Sequence, residues 1–99
     1  MSNINEIIKN KNKDKIERLN KAVFHCPCCD FISLSKKNAF EICPICFWQD
    51  DTLDNEGYSG ANGMKIQEAR HNYKKYGACS EDIIKNVLPK LLIDKYGRR

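Results

Sequence analysis

Ninety-nine residues carrying a formal charge of +4, with 41% hydrophobic and 30% charged side chains, describe one small globular domain and exclude a disordered chain. The first 21 residues alternate Asn, Lys, Glu and Ile without a continuous apolar run, so no signal peptide or membrane helix is expected there. The expected setting is cytoplasmic, with no membrane partner. In that reducing compartment six cysteines read as metal ligands or redox groups, not as a disulfide framework.

The charge is unevenly spread. Residues 1–21 hold six basic and three acidic side chains, and residues 64–99 hold nine basic and four acidic ones. Between them, residues 22–63 carry only Lys36 and Lys37 against Asp30, Glu41, Asp50, Asp51, Asp54 and Glu56. An acidic, cysteine-rich centre thus lies between two basic flanks. A nucleic-acid-binding zinc module usually carries its cations on the module itself.

In chain order, Ile4, Ile7, Ile8, Ile16, Leu19 and Val23 recur at helical spacing, which predicts a basic amphipathic helix over 4–20. Lys9–Lys15 interrupts its apolar stripe. Phe31–Leu34 and Phe40–Ile42 read as two short strands joined by a turn at Ser35–Asn38. Residues 50–63, with Gly57, Gly60 and Gly63 among Asp and Asn, read as a loop. A helix is predicted over 64–76, with Ile66, Ala69, Tyr73 and Tyr76 on one face and Gly77 as its C-terminal cap. Ser80 is placed to cap a last helix, which Pro89 should kink or split.

The chemistry lies in two pentads, Cys26-Pro27-Cys28-Cys29-Asp30 and Cys43-Pro44-Ile45-Cys46-Phe47. Each fits Cys-Pro-x-Cys. Two intervening residues let both sulfurs of a knuckle face one ion, and proline presets the turn. Thirteen residues separate Cys29 from Cys43, enough for the chain to return. Four thiolates from Cys26, Cys29, Cys43 and Cys46 are the donor set of a closed structural zinc site, one zinc per chain. Iron suits four thiolates as well. The competing readings are buried packing cysteines and a redox Cys-x-x-Cys pair, to which vicinal Cys28-Cys29 would add reactivity. Cys28 and Cys79 read as small buried residues or as a second thiol site near the metal. His25 and His71 are weaker ligand candidates, since four cysteines already fill a tetrahedral shell.

Phe47 and Trp48 follow the second knuckle and are expected to cover the metal and anchor it to the helices. Asp50 and Asp51 come next. They offer an acidic turn or an ion-pair partner for Arg70. As adjacent carboxylates they point in different directions, which argues against a catalytic dyad.

CPCC at 26–29, EICPICFWQDD at 41–51, GANG at 60–63, EARHNY at 68–73 and GAC at 77–79 together resemble the bacterial cysteine-rich CPCC family. The resemblance covers residues 22–80. It sets the expected organisation as a basic N-terminal helix (1–21), a CPCC zinc-binding domain (22–80) and a C-terminal helical extension (81–99). It implies a small metal-binding domain without handing over a function. Members often carry Ser where this chain has Lys65; that Ser would cap the following helix in a box with Glu68. Asn62, Arg70 and Asn72 also fall in the shared pattern. Together with Asp50 or Asp51 they would either brace the Gly57–Gly63 loop or line a shallow polar site.

The expected fold is therefore small α+β: a zinc-ribbon-like β-hairpin with two Cys-Pro-x-Cys knuckles, packed on two to four α-helices. The expected function is a zinc-binding interaction module with a structural metal and a protein partner, of a regulatory or immunity type that meets a basic protein. One alternative is a nucleic-acid-binding zinc ribbon that uses the basic flanking helices. The other is a thiol redox protein. No nucleophile–base pair or phosphate loop points to an enzyme.

Overall fold

The computed structural model describes residues 4–99, with side chains from Glu6 onward; readings that rest on residues 1–3 and on the Ile4 side chain fall outside it. The fold is small α+β, as expected. Its described elements are α1 (Ile4–Lys11), α2 (Lys13–Lys21), β1 (Phe24–His25), β2 (Ile32–Leu34), β3 (Tyr58–Ser59), β4 (Met64–Lys65), α3 (Ile66–Tyr76), a 3-10 helix (Glu81–Asn86) and α4 (Lys90–Tyr96). No helix of these is long and apolar enough to cross a membrane.

The N-terminal helix expected over 4–20 is two helices. Asn12 leaves helical geometry at φ −111° and ψ 18°, and its side chain bonds back to the Ile8 carbonyl at 2.8 Å. Asparagine competes for nearby backbone groups in this way, and it sits within the polar Lys9–Lys15 stretch. Ile16 and Leu19 are buried, as the stripe requires. Val23 is not on that face: the backbone turns extended at Ala22, and Val23 is 67% exposed.

The strand pairing differs from the sequence reading. Phe31–Leu34 and Phe40–Ile42 do not pair with each other. Instead β2 pairs with β1 across the first knuckle, in antiparallel register Phe24↔Leu34 and His25↔Ile32. Ile42 pairs with Gln49 across the second, flanked by Phe40 N–H to the Asp50 carbonyl at 2.8 Å and Asp50 N–H to the Glu41 carbonyl at 2.9 Å. Each knuckle therefore tips its own small hairpin. Backbone bonds inside each knuckle, Cys26 N–H to the Phe31 carbonyl and Cys43 N–H to the Trp48 carbonyl, bring its flanking segments together and so set the strand partners. Glu41 fixes that turn by accepting from the Ser35 N–H and hydroxyl at 2.8 and 2.7 Å.

The segment read as a loop contains part of a second sheet, in which Tyr58↔Lys65 and Ser59↔Met64 are paired. Met64 and Lys65 thus belong to a strand, and α3 begins at Ile66. Lys65 occupies the N-cap without a side-chain hydrogen bond, as its lack of an acceptor predicts. Gly77 caps the other end at φ +78°, its N–H bonded to the Tyr73 carbonyl at 2.8 Å.

Pro89 splits the last helix. Residues before it form the 3-10 turn, and α4 starts at Lys90. The Ser80 hydroxyl does not cap that turn; it donates to the Asp82 carboxylate. After α4 the tail returns to the first hairpin. Ile32 N–H donates to the Arg98 carbonyl at 2.7 Å, and the Arg98 guanidinium donates to the Leu19 and Ala22 carbonyls at the end of α2. Leu19, Leu34, Ile45, Trp48 and Leu88 fill the core, with all six cysteines free and buried beside them.

Nothing lies within 4 Å of a Cβ placed on Gly77, so a side chain there meets only the backbone penalty of a positive φ. Gly77→Ala should cost about 1 kcal/mol, read as a lowered denaturation midpoint with an unchanged slope.

Candidate metal centre

The two knuckles have the same local build. Asp30 and Phe47, each directly after a second cysteine, both take positive φ, 68° and 71°. Their N–H groups return to the carbonyl of the first cysteine, Asp30 to Cys26 and Phe47 to Cys43, each at 2.9 Å. The first cysteine's own N–H closes the hairpin, Cys26 onto Phe31 and Cys43 onto Trp48, each at 2.8 Å. One further N–H aims at the first sulfur, from Cys28 to Cys26 and from Ile45 to Cys43, each at 3.4 Å. A left-handed residue is costly for a bulky aromatic, so Phe47 is held by its surroundings rather than by preference. Its neighbour Trp48 is fully buried.

This geometry points the sulfurs of Cys26, Cys29, Cys43 and Cys46 at one another. All four lie within 4.8 Å of each other, and all four residues are buried. The close pairs cross between knuckles: Cys26–Cys46 at 3.6 Å and Cys29–Cys43 at 3.7 Å. A tetrahedral ion with metal–sulfur bonds of about 2.3 Å separates its sulfurs by about 3.8 Å. The donor set and its spacing therefore fit a metal ion.

The electrostatics agree. Burial resists charge on Cys43, but hydrogen bonds from the Cys26, Cys29 and Cys46 thiols and the Ser33 hydroxyl hold its pKa well below the ordinary thiol value. Cys26 is pushed far up, chiefly through its bonds with Cys29 and Cys43. Burial and then the bond with Cys26 push Cys46 up. A negative charge is thus favoured on Cys43 and opposed on Cys26 and Cys46. A cation at their centre removes that opposition.

Sequence reasoning missed Ser33. Its hydroxyl lies 3.0 Å from the Cys43 sulfur and the residue is fully buried. The available signal was a polar residue between Ile32 and Leu34 in a strand beside a cysteine knuckle.

Cys28 and Cys79 stand outside the four-sulfur set. Cys79 presents its backbone N–H to the Cys46 carbonyl at 2.8 Å, and Asn72 holds the Cys79 carbonyl at 3.0 Å. Burial, followed by the neighbouring Cys28, pushes the Cys79 thiol up to about 12. Among the described residues no hydrogen bond joins the sulfurs of Cys28 and Cys79. His25 and His71 are exposed and belong to no such cluster.

Of the polar residues singled out in the sequence, Asn62 and Asp51 brace the glycine loop, while Asp50, Asp51 and Arg70 also line a recess of about 440 Å³ beside the first knuckle. Asn62 accepts from the Gln49 N–H at 3.0 Å and donates to the Gln49 carbonyl at 2.7 Å and to Ser59 at 2.8 Å. Buried Asp51 accepts from the Ser59 hydroxyl at 2.8 Å and the Ala61 N–H at 3.0 Å, and Asp50 accepts from the Asn38 N–H at 2.8 Å. Uncharged donors thus serve both carboxylates, and Arg70 forms no ion pair with either. Its Nε donates instead to the Pro27 carbonyl at 2.8 Å, tying α3 to the first knuckle.

A family model described as Cysteine-rich CPCC matches residues 24–91, taking in both knuckles, the braced loop, α3 and the 3-10 turn. No curated protein and no solved structure matches the chain.

Two substitutions test the shell around the sulfurs. Ser33→Ala should leave the fold intact and weaken metal retention by about tenfold in competition with a chromogenic chelator, because it removes a donor to a ligand sulfur. Asn62→Ala should lower stability by about 1–3 kcal/mol in chemical denaturation, because it unpairs both Gln49 backbone groups.

Proposed function

Since the chain belongs to the cysteine-rich CPCC family and its knuckles converge on one point, we propose that it is a zinc-binding interaction module whose single metal ion is structural. The observation that carries this reading is the buried set of four sulfurs from Cys26, Cys29, Cys43 and Cys46, crossed between knuckles at 3.6 and 3.7 Å. Four protein ligands complete a tetrahedral shell and leave no position for water or substrate, which favours a structural role over a catalytic one. The metal fastens together two hairpins that share no strand. It thereby builds a rigid platform from a chain with little core. Zinc is preferred over iron because the role asks for no redox change.

A protein partner is the reading we favour for that platform. The nucleic-acid alternative relied on the basic flanks, and two of their arginines turn inward: Arg18 donates to the Ile42 carbonyl and Arg98 to the end of α2. A thiol redox role draws little support from Cys79, which is buried and raised to about 12.

Elemental analysis of the reduced, freshly purified protein should return one zinc per chain. Cys43→Ser should lose both the metal and the cooperative unfolding transition, since such a site contributes on the order of 10 kcal/mol to folding. Cys79→Ser should keep both. Acid should release the metal, because protons compete with the ion for the sulfurs. A reduced protein that unfolds cooperatively without metal would overturn the proposal.

A further inference from the structure

The charge of the cysteine-rich middle suggests a basic partner, yet the face beside α3 and α4 has the opposite sign. A groove of about 720 Å³ runs there between α3, the 3-10 turn and α4. That volume is in the range of sites which bury a ligand or a few large side chains. Its floor is apolar, with Ile84, Val87, Leu88 and Ile93. Lys74, Lys85, Lys90 and Arg99 stand around it against one carboxylate, Asp94. Among the described residues none of these four cations forms an ion pair within the chain.

The groove is short of cover. The 3-10 turn Glu81–Asn86 buries none of its residues, and Ile84 is 42% exposed over the groove. Tyr73, Lys74 and Arg99 also line a neighbouring recess of about 500 Å³ against Pro27, Cys28 and Cys29. The uncovered surface therefore continues up to the first knuckle, where Arg70 adds a further cation.

We infer that this groove docks an acidic, apolar peptide segment of a protein partner, with large apolar side chains on the aliphatic floor and Asp or Glu beside the lysines. The inference rests on the reading of the chain as a metal-fastened interaction module and gives its partner a chemistry. Charge complementarity selects the sign, since an excess of unpaired cations around an apolar floor attracts carboxylates and repels basic segments. The floor selects peptide over single-stranded nucleic acid. Bases stack on free aromatic faces, but the floor is chiefly aliphatic and the aromatic residues that also line the groove, Phe31, Tyr73 and Tyr76, are half-buried. The Arg99 guanidinium already lies 4.4 Å from the Phe31 ring centre, and Lys75 lies 5.2 Å from that of Tyr76.

The test selects a random-peptide phage library on the full-length, zinc-loaded protein, with zinc content measured on the same preparation. Enriched peptides should combine large apolar residues with Asp and Glu. They should bind less well as salt is raised and shift amide resonances within 73–77 and 84–94. The double variant Lys85→Glu, Lys90→Glu changes two exposed side chains and should keep zinc and fold while weakening those peptides by about tenfold or more. Retained affinity in that variant would overturn the inference. So would enrichment of basic peptides, no enrichment at all, or an oligothymidylate that binds the same residues. A preparation that folds without zinc would instead overturn the metal reading, so the two failures are separable.

Discussion

Four sulfurs brought to one point are the constraint on which this fold depends. Neither hairpin supplies a core by itself: β1 and β2 pair over two residue positions, and the second knuckle is closed by a single bridge and its flanking backbone bonds. Isolated two-stranded units of this kind are marginal in water. They become one body because Cys26 meets Cys46 and Cys29 meets Cys43, so that each knuckle reaches into the other. The helices pack against the joined knuckles. Trp48 and Ile45 from the second knuckle share a core with Leu34 from the first hairpin and Leu19 from α2.

The rest of the chain reinforces that junction through backbone groups. Cys79 and Leu88 donate from the C-terminal segment to the carbonyls of Cys46 and Pro44. Arg70 reaches the Pro27 carbonyl from α3, and Arg18 reaches Ile42 from α2. These contacts satisfy carbonyls that tight turns leave without strand partners, and each draws a helix or the C-terminal segment toward a knuckle. Arg18, Arg70 and Arg98 are used here as hydrogen-bond donors to backbone carbonyls, and none of the three forms an ion pair among the described residues.

The clustering of Cys26, Cys29, Cys43 and Cys46 was legible in the sequence because Cys-Pro-x-Cys fixes its own local geometry. Gly77 and Pro89 were legible for the same reason: positive φ and a missing N–H act wherever the residue stands. Strand pairing was not legible. Phe31–Leu34 and Phe40–Ile42 have strand composition, but composition does not say which neighbour each will pair with, and the backbone bonds of the knuckles decide it. Asn12 hid a helix break inside a stretch that looked merely polar. The contact expected between Arg70 and Asp50 or Asp51 does not form, because backbone and hydroxyl donors occupy those carboxylates and the Pro27 carbonyl takes the Arg70 guanidinium. Ser33 shows the complementary blind spot: a residue of ordinary type becomes important only when the fold sets it against a sulfur.

The returning tail has a consequence for the first hairpin. With only β1 beside it, β2 would leave one side of its backbone open, and exposed strand edges invite pairing with other chains. The Arg98 carbonyl occupies part of that side by accepting from Ile32, while the same residue's guanidinium seals the end of α2. A single position near the end of the sequence therefore protects two unfinished backbone ends at once. Removal of the chain from that position onward would bare a strand edge and a helix end together, the kind of unpaired backbone that other molecules can join.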